Sequence, residues 1–220
     1  MELTHLGHSC LLVEVADQRV LIDPGTFSDL DQRDLSAVLI THQHPDHADP
    51  DRLPGLLRQN PAAQVWAEPQ AAAALTEPLG DQAGRVQPLD SGATLRLGPL
   101  EVTAVGERHA LIHDYVPRID NRGLVLRAEG VPTVFHPGDA LDADPGEVDL
   151  LCVPVNAPWA AVRDTIGFVR RVAPRQAIIP IHDGLLNDTG RSMYLGHVAT
   201  HGAEEGVAVL DLRGAGPTRR

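Results

Sequence analysis

Four side chains able to hold a metal ion fall within the six residues His42-Gln43-His44-Pro45-Asp46-His47. In extended or tightly turned backbone, side chains two apart point to the same side, so His42 and His44 can share one ion. Pro45 favours a turn, which lets Asp46 and His47 face a second ion beside the first. Imidazole suits zinc, iron, copper or nickel, and carboxylate admits harder ions such as manganese. A polar loop with solvated histidines is the plain alternative; three histidines and an aspartate at this spacing weigh against it.

The elements around this cluster must hold it rigidly. The apolar run Ala37-Val38-Leu39-Ile40 immediately precedes it and reads as a buried strand. Further candidate ligands stand at the ends of other apolar runs: His109, Asp139 in Phe135-His136-Pro137-Gly138-Asp139, and His182 closing Ile178-Ile179-Pro180-Ile181. Ligands delivered from several strand ends make a rigid site with open positions for water and substrate. Strands are expected at 10–15, 19–23, 37–41, 64–67, 94–97, 101–106, 123–128, 133–136, 150–153, 176–181 and 207–210. Helices are expected at 51–59, 69–79 and 160–173, with a weaker one at 191–201. The pattern is mixed α/β without a linker or a repeat: one domain over 1–214, then a frayed tail at 215–220.

Composition narrows the partners. The net charge is −12 and all 18 basic residues are arginine, so lysine Schiff-base chemistry is excluded and nucleic acid is not the expected partner. No apolar run is long enough to span a membrane, and the N-terminus reads as strand rather than signal peptide. Cys10 and Cys152 lie in apolar runs and read as buried thiols. A cytoplasmic protein acting on a small molecule is the simplest expectation, with oligomeric state open.

The five pieces His42–His47, His109, Gly138-Asp139, His182 and the opening Leu6-Gly7-His8-Ser9-Cys10 with Leu21-Ile22-Asp23-Pro24 occur in one order. In that order the chain resembles the metallo-β-lactamase-fold hydrolases, in particular the small branch that includes the ascorbate-6-phosphate lactonase-like proteins. The resemblance implies a four-layer αββα sandwich with a binuclear site at one edge. It implies that His42, His44 and His109 hold one divalent ion, that Asp46, His47 and His182 hold the other, and that Asp139 bridges. Zinc is the first expectation, with manganese or iron as alternatives. The implied reaction is attack of metal-activated water on an ester, lactone, amide or phosphoester bond, with Asp46 orienting the water and receiving its proton.

Other residues carry weaker readings. Asp23 resembles the acid that orients a ligating histidine from behind; its alternative is a turn former. Asp183, beside His182, could do the same or be solvated. His8 could face substrate or be a hydrogen-bonded buried histidine. His113 is the rival of His109 and otherwise a substrate contact. Arg118, in the segment 109–122, could bind an anionic substrate or form a surface ion pair. Trp159 could wall the pocket or pack beneath the following helix. His136 reads as structural. The competing function is a non-catalytic metal- or ligand-binding protein, a sensor or scaffold, on the same fold.

Overall fold

The computed structural model describes residues 1–220. The strands, in chain order, are β1 Glu2–Gly7, β2 Cys10–Val15, β3 Gln18–Ile22, β4 Ala37–Ile40, β5 Gln64–Ala67, β6 Val86–Pro88 and β7 Thr94–Leu97. They continue with β8 Leu100–Val105, β9 Gly123–Arg127, β10 Val134–His136, β11 Leu150–Pro154, β12 Ala177–Ile181 and β13 Thr218–Arg219. Helices α1 Leu53–Gln59, α2 Pro69–Ala74, α3 Thr76–Leu79, α4 Val162–Val172 and α5 Asp188–His201 complete the set. One sheet has seven strands in the order β13-β1-β2-β3-β4-β5-β6, and the other has six in the order β12-β11-β10-β9-β8-β7.

Alternation along the strands builds three apolar layers. In β2, Leu11 and Val13 face the other sheet, while Cys10 and Leu12 face α1 and α2; in β11, Leu150 and Cys152 face inward, while Leu151 and Val153 meet Phe168 and Val169 of α4. Helix layers therefore cover both outer sheet faces, and the architecture is the expected αββα sandwich. Both cysteines are free and lie in different layers, and burial pushes both thiols up. No helix is long and apolar enough to cross a membrane.

Strand direction explains where the chemistry collects. β1 and β3 are each antiparallel to β2, and β3 is parallel to β4, so β1, β3 and β4 all run one way. In the other sheet β8 and β10 flank the antiparallel β9, and β10, β11 and β12 are parallel, so these four also share a direction. Residues following those strand ends meet at one edge of the sandwich.

Some expectations fail for physical reasons. The expected helix 69–79 breaks at Leu75, because a continuous helix would drive the Pro78 ring into the Ala74 carbonyl. Segment 207–210 makes a single bridge, Val209 to Ile178, rather than a strand. The tail does not fray: Thr218 and Arg219 pair with Leu3 and Glu2, and the Arg220 amide donates to the Met1 carbonyl at 2.9 Å. The short or polar strands β1, β6 and β13 carry too little apolar pattern to announce themselves.

Candidate metal centre

His42 to His47 leave the end of β4 in a tight turn, closed by the His47 and Ala48 amides donating to the His44 carbonyl, each at 2.9 Å. Asp23, just past β3, anchors this turn. Its carboxylate accepts from the Thr41 amide and the Thr41 hydroxyl, both at 2.8 Å, and from His47 Nδ1–H at 2.7 Å. Asp23 thus lies behind the His47 ring, bonded to its Nδ1. Gly25 lets the same loop close, since a Cβ there would lie 1.7 Å from the Asp46 carbonyl oxygen.

The second sheet supplies the facing wall. His109 follows β8, and its Nδ1 must donate to the Ala110 carbonyl at 2.7 Å, because a carbonyl only accepts. His182 follows β12 and donates Nδ1–H to the Asn156 carbonyl at 2.6 Å. Asp139 follows β10 across Gly138, whose φ of +60° and contact with Asn121 and Thr41 leave no room for a side chain. The Asn121 side chain braces this turn, accepting from the Asp139 amide at 3.0 Å and donating to the Pro137 carbonyl at 2.9 Å.

Seven of the expected residues converge. Asp139 is central, with Oδ1 3.1 Å from His47 Nε2 and Oδ2 3.1 Å from His182 Nε2 and 3.4 Å from His109 Nε2. Asp46 Oδ2 lies 3.4 Å from His182 Nε2, and His42 Nε2 lies 3.1 Å from His44 Nδ1. Two groups form: His42, His44, His109 and Asp139, and His8, Asp46, His47 and His182, the donor atoms of each lying within 4.8 Å of one another. The Nε2 atoms of His47, His109 and His182 and Oδ1 of Asp139 are buried without a hydrogen-bond partner. Buried polar atoms that approach so closely yet do not bond share a focus, and neutral imidazole and carboxylate at such a focus fit divalent cations.

Charges within the site are arranged accordingly. Burial works against ionisation of Asp139, yet the adjacent His47 and His182 hold its carboxyl well below the usual range. Asp46 is also held low, against burial, by contacts from His182 and His8. Burial would lower His182, but Asp139 and Asp46 raise it to about 9. His47 is likewise raised, against burial, by Asp139 and Asp23. Burial lowers His42 and His44, with His47 and His109 respectively adding to the effect.

The remaining expectations divide. Trp159, in the turn after β11, donates Nε1–H to Asp139 Oδ2 at 2.9 Å and lies edge-on to the His109 ring, so it walls the site. A groove of about 470 Å³ opens beside it, lined by Leu111, Leu141, Phe168 and Arg163. His113 is exposed and accepts from the Tyr115 amide at 3.2 Å, away from the converging donors, whereas His109 lies among them. Arg118 donates Nε–H to the His109 carbonyl at 2.6 Å, and its Nη2 lies 3.7 Å from Asp142 Oδ2. Asp183 corrects its expectation: it is buried but pairs with Arg191 at 2.6 Å, while the His182 Nδ1 goes to Asn156. Asn156 carried no sequence signal, because it acts through its backbone. His136 is structural as expected, donating Nε2–H to the Ser9 carbonyl at 2.9 Å.

Known proteins share this architecture. A sequence model described as "Beta-lactamase superfamily domain" matches residues 2–182. Protein Rv0786c of Mycobacterium tuberculosis is 45% identical over 201 residues, covering 90% of this chain and 91% of that one. A UPF0173 metal-dependent hydrolase of Azorhizobium caulinodans is 27% identical over 210 residues, covering 84% and 86%. Among solved structures, Igni18, a metallo hydrolase from Ignicoccus hospitalis, superposes with a TM-score of 0.67 at 19% identity, covering 96% of this chain and 94% of that one. CmlA, a diiron β-hydroxylase from Streptomyces venezuelae, superposes with a TM-score of 0.68 at 18% identity, covering 96% and 53%. With the match spanning both halves of the candidate metal centre, the chain belongs to the beta-lactamase superfamily and has the metallo-β-lactamase fold.

Proposed function

We propose that this protein is a metal-dependent hydrolase that cleaves an ester, lactone, amide or phosphoester bond of a small substrate at a two-ion centre. His42, His44 and His109 hold one ion, Asp46, His47 and His182 hold the other, and Asp139 lies between them. The observation that carries this reading is the convergence of four buried, unpartnered donor atoms from His47, His109, His182 and Asp139. The name of the Azorhizobium relative, a metal-dependent hydrolase, supports the reaction class.

When bound, paired divalent ions supply Lewis acidity and water activated near neutral pH. The protein's own groups prepare the site for that chemistry. Asp23 and the carbonyls of Ala110 and Asn156 fix the Nδ1–H tautomers of His47, His109 and His182, so each presents Nε2. Trp159 restrains one oxygen of Asp139. Asp46 is the most open of the carboxylates, with 26% of its side chain exposed against 3% for Asp139, so it is the carboxylate placed to orient a water entering the site. The histidine-rich set favours zinc, with manganese or iron as alternatives; the name of CmlA, a diiron β-hydroxylase, supports keeping iron among them.

Metal content by mass spectrometry on untagged protein purified without chelator tests the proposal. About two ions per chain, with turnover of generic lactones, esters or phosphodiesters, is the expected result. A chain that binds no zinc or manganese at neutral pH would overturn it.

A further inference from the structure

We infer that His8 is a positioning residue for Asp46, held outside the coordination of either ion. This inference rests on the proposed two-ion reading. By distance alone His8 would count as a fourth donor beside Asp46, His47 and His182. Its hydrogen bonds exclude that. A neutral imidazole has one in-plane lone pair, on whichever ring nitrogen lacks the proton. The Gly184 amide donates to Nδ1 of His8 at 3.1 Å, so the lone pair is engaged there and the ring proton sits on Nε2. That Nε2–H points at Asp46 Oδ2, 3.2 Å away. His47, His109 and His182 are arranged the opposite way, with Nδ1 donating and Nε2 free.

The backbone enforces this orientation. His8 adopts φ +53°, a left-handed conformation that few side-chain-bearing residues take, directly after β1. The His182 amide donates to the His8 carbonyl at 2.9 Å, and His5 Nε2 donates to the same carbonyl at 2.9 Å. Segment 182–184 therefore clips His8 at both its main chain and its ring. The residue is 1% exposed and its ring centroid lies 3.9 Å from that of His182, the planes tilted by 51°, so water does not replace the Gly184 amide. His8 thus stands to Asp46 as Asp23 stands to His47: a partner behind the donor that fixes its aim.

The test uses the full chain, labelled with 15N-histidine and loaded with 113Cd as the probe ion. Cadmium–nitrogen coupling is expected at His42, His44, His47, His109 and His182 and absent at His8, whose spectrum shows a protonated Nε2. Coupling at His8 would overturn this inference while leaving the metal reading intact; no cadmium coupling at any histidine would overturn both. His8→Ala is expected to keep both ions at saturating metal but to weaken the one assigned to Asp46, His47 and His182 by about tenfold or more, the usual effect of losing such a partner. His8→Gln, which keeps an N–H donor near Nε2, is expected to restore most of that affinity. Loss of an ion from both folded variants would overturn the inference. If the alanine variant does not fold, the cadmium spectrum of the wild-type protein decides.

Discussion

Trp159 Nε1 donates to Asp139 Oδ2 at 2.9 Å, so the indole that walls the groove also holds the central carboxylate of the site. Trp159→Phe keeps the wall and removes the donor. Turnover or metal affinity is expected to fall about tenfold, with little change in thermal stability. Steady-state kinetics beside chelator competition measures this, and an unchanged variant would show the contact to be incidental.

Asp23→Asn keeps an acceptor for the Thr41 amide but removes the charge that meets His47 Nδ1. We expect metal affinity to fall by about 10- to 100-fold. Competition against a fluorescent zinc chelator reads it directly; wild-type affinity would deny Asp23 its orienting role.

His109→Ala and His113→Ala separate the two rivals of the 109–122 segment. The first is expected to lose about one ion per chain, and the second to keep wild-type content, because His113 is exposed and clear of the donors. The reverse pattern, read by elemental mass spectrometry, would reassign the ligand.

Protonation of His182 gives a signed pH dependence. In the metal-free protein its pKa is raised from 6.5 to about 9, against the lowering effect of burial, by Asp139 and Asp46. The stability it contributes is therefore complete below about 6.5 and is lost as pH rises through about 9. A bound ion displaces that proton, so zinc binding at about pH 7.5 should release protons, and loaded protein should lack this alkaline decline. Calorimetry in buffers of differing ionisation heat checks the release; a buffer-independent heat would refute it.

Gly138→Ala would place a Cβ 2.3 Å from Asn121 Oδ1 at a φ of +60°. A loss of about 1–3 kcal/mol is expected from the backbone alone, and more where Asn121 shifts. Denaturant unfolding with and without metal measures it, and a neutral outcome would mean the turn relaxes freely.

Local features of the site were legible in the sequence because they depend on neighbours along the chain. The His42–His47 turn is a single loop, and the buried strands before it show in their apolar runs. Features set by distant partners were not. His182 has left-handed φ of +58°, which turns Asp183 away towards Arg191, so adjacency in sequence misleads there. The donation from Gly184 that fixes the His8 ring joins residues 176 apart. Trp159 meets Asp139 only because β10 and β11 run parallel and end at one edge. The β1–β13 pairing depends on hydrogen bonds from short, polar segments, which carry no apolar period.

The two sheets contribute donors from opposite sides of the sandwich: His42, His44, Asp46 and His47 from the end of β4, and His109, Asp139 and His182 from the ends of β8, β10 and β12. In the proposed reading each ion is therefore a rivet through both sheets. The rivet through Asp46, His47 and His182 cannot be set during synthesis until the strand ending at Ile181 has emerged, since His182 follows it. An ion present at about 100 times its Kd adds about 2.7 kcal/mol to the folded state and nothing to chains whose sheets have not docked. Metal starvation would thus act on this protein as loosened joinery, exposing it to proteolysis between the sheets as well as silencing its chemistry.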